Sequence, residues 1–93
     1  MGLGAALAVE EAGLTPGVDV KIATIDGTKG ALQALADDRL SFVAEYNPLF
    51  GETLVDVVTK ALAGVAVETY IIVPSLTFDS PEAASAALPT RQF

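Results

Sequence analysis

The side chains best suited to ligand chemistry stand in two short loops, Asp26 in "DGT" and Glu45, Tyr46 and Asn47 in "EYNP". Each loop directly follows a run of β-branched and aromatic residues that we interpret as a strand. If the two strands are parallel neighbours, both loops lie at the carboxyl edge of the sheet, where open α/β sheets bind ligands. Carboxylates and an amide beside an aromatic ring match the hydroxyls and the C–H face of a neutral polyol. These four residues are therefore a candidate sugar-binding rim.

Each rim residue also has a purely structural interpretation. Asp26 or Thr28 can cap the helix that follows, because Asp and Thr are favoured at N-caps. Asn47, which precedes a proline, has the pattern of an N-cap with proline in the first turn. Tyr46 at a strand end can pack or extend its hydroxyl to water, and Glu45 beside it is expected to point at solvent. The local pattern leaves both interpretations open.

Composition excludes most catalytic machinery. The chain has no Cys and no His, which removes disulfides, thiol nucleophiles, the usual zinc sites and the Ser/His/Asp arrangement. Gly27 and Gly30 do not have the spacing of a phosphate-binding loop. Asp26 and Glu45 could be the paired carboxylates of a glycosidase, but only the distance between them would support that. We expect no enzymatic activity and no cofactor.

Charge and hydropathy limit the possible partners. Five Lys and Arg against twelve Asp and Glu give a net charge of -7, which argues against nucleic acid, because phosphate binding needs clustered cations. The hydrophobic share is 52% and the mean hydropathy +0.52, yet no run approaches the roughly 20 apolar residues of a membrane helix. We expect no membrane insertion, and we expect part of the apolar surface to lie against another polypeptide.

The order of elements predicts the α/β class. The 93 residues are expected to form a single domain with a helix over 1–13, a βαβαβ unit over 18–73, and a hinge and tail over 74–93. The expected elements of the unit are strand 18–25, helix 29–38, strand 41–46, helix 47–64 and strand 67–74. This alternation is typical of a three-layer αβα fold with a short parallel sheet.

Each helix is expected to bury an apolar stripe. The inward residues are expected to be Leu3, Leu7 and Val9 in the first helix, Leu32, Leu35 and Ala36 in the second, and Leu54, Val57, Val58, Ala61 and Leu62 in the third. No Ser, Thr, Asp or Asn precedes the first helix, so the sequence supplies no side-chain cap for its first turn.

Four stretches, "IDGT", "ALADDRLSFVAEYNP", "PLFG" and "YIIVP", occur in an order and spacing that resemble a known family. They resemble the C-terminal half of the second lobe of a type I periplasmic sugar-binding protein, the ribose- and galactose-binding family that serves ABC transporters. The resemblance covers almost the whole chain. It implies a partial C-terminal lobe whose "YIIVP" segment approaches a partner lobe.

The resemblance also implies roles for the rim residues. The acid of the "DG" turn, which hydrogen-bonds sugar hydroxyls in the family, falls on Asp26. The cleft-facing polar position after the next strand falls on Tyr46, with Glu45 and Asn47 beside it. Tyr46 departs from the small polar residue that is frequent there, so the preferred sugar stays open.

The resemblance further implies partners and location. These are a monosaccharide, an ABC transporter permease, and an N-terminal lobe that the chain lacks. The expected location of the parent is extracytoplasmic, in the periplasm or as a cell-surface lipoprotein. The chain carries no recognisable signal peptide, and relatives have an Asn-Asp segment just before the position of Met1, so we expect a fragment that binds sugar poorly alone.

Two alternatives remain beside the sugar importer. The effector-binding lobe of a LacI-type transcription regulator shares the implied fold, although "ALADDRLSFVAEYNPLFG" favours the transport protein. A freestanding homo-oligomer is the other, because a small parallel sheet has exposed edges that pair with other chains.

Overall fold

The computed structural model describes all residues from 1 to 93. Four α-helices and three short strands are followed by a 3-10 turn over Leu88–Thr90. In chain order they are α1 (Gly2–Glu11), β1 (Ala23–Thr24), α2 (Lys29–Ala36), β2 (Phe42–Ala44), α3 (Gly51–Leu62), β3 (Thr77–Phe78) and α4 (Pro81–Ala87). The α/β class expected from the sequence is therefore confirmed. None of the four helices combines the length and the apolar character that a membrane crossing requires.

The sheet is mixed, with the strand order β1-β2-β3. β1 and β2 are parallel, as predicted, with Ala23 opposite Phe42. β3 runs antiparallel to β2, with Val43 opposite Phe78. The prediction of a third parallel strand over 67–74 is wrong, because β1 and β3 occupy the two sides of β2. An apolar run such as 67–74 has the composition of a strand but forms one only where a neighbouring strand offers free hydrogen-bonding groups.

The first strand is much shorter than the predicted 18–25. Residues 15–20 form a tight turn, in which the Gly17 amide donates to the Val20 carbonyl at 2.8 Å. The Asp19 carboxylate accepts from the Thr15 amide at 2.8 Å and closes the turn from the other side. Val18 is therefore 69% exposed and does not face the core.

The core is centred on α2, which packs against α1, α4 and β2. Leu32, Leu35 and Val43 are its largest fully buried side chains, and Phe78 and Ala84 close it from the C-terminal side. The predicted inward stripe of the second helix is confirmed. Burying each of the two leucines stabilises the fold by about 1.5–3 kcal/mol. The buried α2 therefore holds the neighbouring loops in position.

The first helix does not bury the predicted Leu3 and Leu7, although Val9, also predicted to face inward, is partly buried against the core. Gly2 and Ala6 are its buried residues, whereas Leu3 and Leu7 are 43% and 51% exposed. The reason is a close approach to β1: a Cβ at Gly2 would lie 2.6 Å from the Cβ of Thr24. Only small side chains fit such a contact. The absence of a side-chain cap at the start of α1 is confirmed.

The third helix is confirmed as a helix, but its start and its burial differ from the prediction. It begins at Gly51, with Phe50 at the N-cap and no side-chain cap bond, so Asn47 is not its cap. None of its residues is buried, and the apolar side chains of its stripe are open to solvent; Leu54, Val58 and Leu62 are 55%, 47% and 85% exposed. Association of this face with another polypeptide stays a prediction.

Candidate functional site

The two loops of the predicted rim meet at one edge of the sheet. Because β1 and β2 are parallel, the chain leaves both strands on the same side, and the Tyr46 amide donates to the Asp26 carbonyl at 3.2 Å. The mixed direction of the sheet does not affect this edge, because β3 lies on the far side of β2. The expected juxtaposition of residue 26 with residues 45–47 is therefore confirmed.

Asp26 has an exposed carboxylate on a strained backbone. Its φ is 83°, in the left-handed region that side-chain-bearing residues rarely adopt. The carboxylate takes part in no hydrogen bond or ion pair within the chain, whereas the Thr28 hydroxyl caps α2 by accepting from the Ala31 amide at 3.3 Å. Of the two capping candidates, Thr28 is therefore the cap. Residues held in sparsely populated backbone conformations are concentrated at functional sites, which fits a binding role for Asp26.

Glu45 is buried, contrary to the expectation that it faces solvent. Its carboxylate Oε2 accepts from Arg91 Nη1 at 2.5 Å, and the two side chains are only 4% and 8% exposed. The carboxylate is drawn inward because the guanidinium compensates its charge, without which burial would be very costly. Oε1 has no partner within the chain and is not fully enclosed, so the chain leaves one acceptor of this carboxylate unused.

Arg91 is the site residue that the sequence did not reveal. Its Nε donates to the Gly27 carbonyl at 2.7 Å, and Nη2 donates to the same oxygen. The guanidinium lies 4.1 Å from the ring centroid of Phe93 and 5.6 Å from that of Phe78. Phe93 in turn accepts from the Lys29 amide through its carbonyl at 2.7 Å. The one available signal is that Arg91 is the single cation of residues 74–93, a possible counter-charge for a buried acid.

Gly27 makes this arrangement possible. Its φ is 71°, and a Cβ there would lie 2.7 Å from Arg91 Nη2 and 3.1 Å from the Glu45 Cα. Any side chain would both strain the turn and displace the guanidinium. The glycine of "DGT" therefore serves the contact with Arg91 as well as the turn itself.

Tyr46 and Asn47 line a separate, mostly apolar groove. Asn47 Oδ1 accepts from the Leu49 amide at 2.8 Å, and its Nδ2 donates to the Pro74 carbonyl at 3.4 Å. This side chain therefore joins the end of β2 to the 67–74 segment. The groove measures about 540 Å³, within the range of small-molecule sites, and six of its eight lining residues are hydrophobic. They are Tyr46, Asn47, Phe50, Tyr70, Ile71, Ile72, Val73 and Ser75.

A smaller cavity of about 210 Å³ lies beside the tail and is lined by Glu45, Asn47, Arg91 and Phe93 among others. Asp26 lines neither cavity. The structure thus brings the four candidate residues to one edge, but it does not gather them into a single closed pocket. No three acidic side chains of the chain come close enough together to hold a metal ion.

Comparison with known proteins places this edge in context. No protein-family model matches the chain. The fructose import binding protein FruE of Bifidobacterium longum (strain NCC 2705) is 55% identical over 86 residues, which are 92% of this chain and 26% of that protein. A crystal structure from Mycobacterium smegmatis in complex with β-D-fucofuranose is 45% identical, with a TM-score of 0.90 over 98% of this chain and 30% of that one.

A third match is the periplasmic binding protein component of the arabinose ABC transporter from Shewanella sp. ANA-3, bound to α- and β-L-arabinofuranose. It is 32% identical, with a TM-score of 0.83 over 98% of this chain and 30% of that one. The chain is homologous to part of the type I periplasmic sugar-binding proteins.

The match is partial, since the chain spans about 30% of the length of these structures. This agrees with the expectation of a fragment. FruE is named as a fructose import binding protein, and the Shewanella protein as the binding component of an ABC transporter. They do not favour the LacI alternative.

Proposed function

We propose that this chain forms one wall of the sugar cleft in the binding protein of an ABC-type sugar importer. In this proposal Asp26, Glu45, Tyr46 and Asn47 contact the sugar. The observation that carries it is the exposed, unpartnered carboxylate of Asp26, held on a strained turn against the Tyr46 amide. A preformed acceptor at the carboxyl edge of two parallel strands is suited to bind a hydroxyl group.

The proposed ligand class is a monosaccharide in its furanose form. The M. smegmatis and Shewanella structures were obtained with fucofuranose and arabinofuranose, two sugars in the five-membered ring form. In this chain the rim offers two acceptors without a partner in the chain, the Asp26 carboxylate and Glu45 Oε1, and an exposed aromatic ring at Tyr46. Carboxylates accept from hydroxyls, and an aromatic face packs against C–H groups.

The proposal includes the partners of the parent protein. The parent is expected to work outside the cytoplasm and to deliver its sugar to a transporter permease. The rest of the protein would close the cleft from the other side. Alone, the chain is expected to bind sugar poorly, because a half-cleft leaves most of the ligand in water and its polar contacts in competition with solvent.

A chimera tests this function. Residues 1–93 replace the 86-residue matching segment of the B. longum fructose import binding protein, which supplies the remaining part of that fold. Fructose and a pair of methyl glycosides locked in the furanose or pyranose ring are titrated by calorimetry. We expect binding of fructose and preference for the furanoside.

Asp26→Asn is compared with Asp38→Asn in the same chimera. Asp38 is a matched control, because it also has positive φ, at 58°, is exposed, and takes part in no side-chain hydrogen bond. Loss of a charged acceptor contributing about 1.5–3 kcal/mol predicts roughly 10- to 150-fold weaker binding for Asp26→Asn. Unchanged affinity in Asp26→Asn, or equal loss in both variants, would contradict the proposed role.

A further inference from the structure

We propose that Arg91 is a positioning residue of the sugar site, which holds the Asp26–Gly27 turn and the Glu45 carboxylate at a fixed separation. This inference rests on the proposed function for its consequence in sugar binding. Its structural part concerns the rim alone. Arg91 lies 64 residues from Gly27 and 46 from Glu45 along the chain, so these bonds bring the C-terminal segment into contact with the rim.

The guanidinium connects the two loops through different nitrogen atoms. Nε and Nη2 donate to the carbonyl of Gly27, the residue directly after Asp26, and Nη1 donates to Glu45 Oε2. Three bonds from one rigid plane fix the distance between a carbonyl of the first loop and a carboxylate of the second. The guanidinium fork is suited to this task because its donors have fixed relative directions.

The bonding leaves the ligand groups free. The Asp26 carboxylate accepts from no donor of the chain, and Glu45 Oε1 is unused while Oε2 accepts from Arg91. Arg91 therefore bonds to one Glu45 oxygen and to the main chain, and leaves the Asp26 carboxylate and Glu45 Oε1 without a partner in the chain. A residue that acts in this way orients the binding groups without itself touching the sugar.

The guanidinium is in turn held by aromatic rings and by the end of the tail. The central carbon of the guanidinium lies over the rings of Phe93 and Phe78, and the main-chain oxygen of Phe93 accepts from the Lys29 amide at the start of α2. Cation–π contacts and burial restrict the side chain to one conformation. The tail is therefore part of the rim rather than an appendage.

The test compares Arg91→Lys with Arg39→Lys, a matched control. Arg39 also pairs with an acid, since its Nε and Nη2 donate to the Glu10 carboxylate at 2.8 and 3.1 Å, but on an exposed surface away from the rim. Amide hydrogen exchange is measured by NMR in the chain itself, at Tyr46 and across α2. Lysine keeps the charge but cannot supply three donors in one plane, so we expect Tyr46 protection to fall by about tenfold or more in Arg91→Lys only.

A second variant protects the test against simple unfolding. Glu45→Gln keeps the shape of the side chain and removes the charge of the pair, and the same selective change at Tyr46 is expected. Unchanged Tyr46 protection in Arg91→Lys would overturn the proposal. An equal loss of protection across α2 in both rim variants would also overturn it, because Arg91 and Glu45 would then stabilise the whole domain rather than the rim.

The sugar readout uses the chimera described above. Arg91→Lys is expected to weaken furanoside binding by about tenfold, and most of this loss should disappear in the Asp26→Asn background, because coupled residues are not additive. Full additivity would overturn the positioning role. If the unmodified chimera binds no sugar, the proposed function fails, while the exchange measurement still decides whether Arg91 holds the rim.

Discussion

Replacing Gly27 with alanine should disrupt the close contact of this glycine with Arg91 and Glu45. The left-handed backbone at φ 71° costs an alanine about 1–2 kcal/mol. The new Cβ would also lie 2.7 Å from Arg91 Nη2 and 3.1 Å from the Glu45 Cα, so the guanidinium has to leave its position. Separating a buried pair costs about 3–5 kcal/mol when nothing replaces it. With partial relaxation we expect a total loss of about 3 kcal/mol or more.

Gly13→Ala is the control that separates backbone strain from contact. Gly13 has φ 78°, and nothing lies within 4 Å of the point that an alanine Cβ would occupy there, at the end of α1. The Gly13→Ala variant should therefore lose only the stability that the left-handed backbone costs an alanine, about 1–2 kcal/mol. Urea unfolding followed by circular dichroism gives both values, and about 1 kcal/mol corresponds to roughly 4–8 °C in Tm for a chain of this size. Equal losses in the two variants would refute the tight contact between Gly27 and Arg91.

Three further predictions concern the elements around the site. Thr28→Ala should lower the free energy of unfolding by about 1 kcal/mol, because the cap of α2 is removed. Thermal unfolding at the same temperature as the unmodified chain would contradict Thr28 as the cap. Leu35→Ala should cost about 2–5 kcal/mol, whereas Leu62→Ala, at a side chain 85% exposed, should change urea stability by less than about 0.5 kcal/mol; similar losses would mean that α3 is covered. Asp26→Gly should relieve the strained φ of 83°, so Tm should not fall although the proposed sugar acceptor is lost; a fall of several degrees would show that the Asp26 side chain stabilises the turn.

The parts of the fold that local sequence determines were predictable. The apolar spacing of α2 identified Leu32 and Leu35 as core residues, and both are buried. The two rim loops were placed together from strand composition and the rule for parallel neighbours, and the Tyr46 amide does bond to Asp26. Threonine at the start of α2 was one of two capping candidates, and local geometry selects it.

The parts that depend on distant partners were not predictable. The run 67–74 looks like a strand, but strand formation needs a free neighbour, and Thr77–Phe78 pairs with β2 instead. Glu45 was expected in solvent because its counter-charge, Arg91, lies 46 residues away in the tail. The predicted burial of Leu3 and Leu7 in α1 was wrong, because hydrophobic spacing does not reveal the close approach of Gly2 to Thr24.

The most direct test of the account is a crystal structure of the chimera with a bound furanoside. A carboxylate oxygen of Asp26 is expected to lie about 2.5–3.2 Å from a sugar hydroxyl, with Arg91 still bonded to Gly27 and Glu45. A sugar bound at another surface, or a cleft-bound sugar that leaves the Asp26 carboxylate in water, would contradict it.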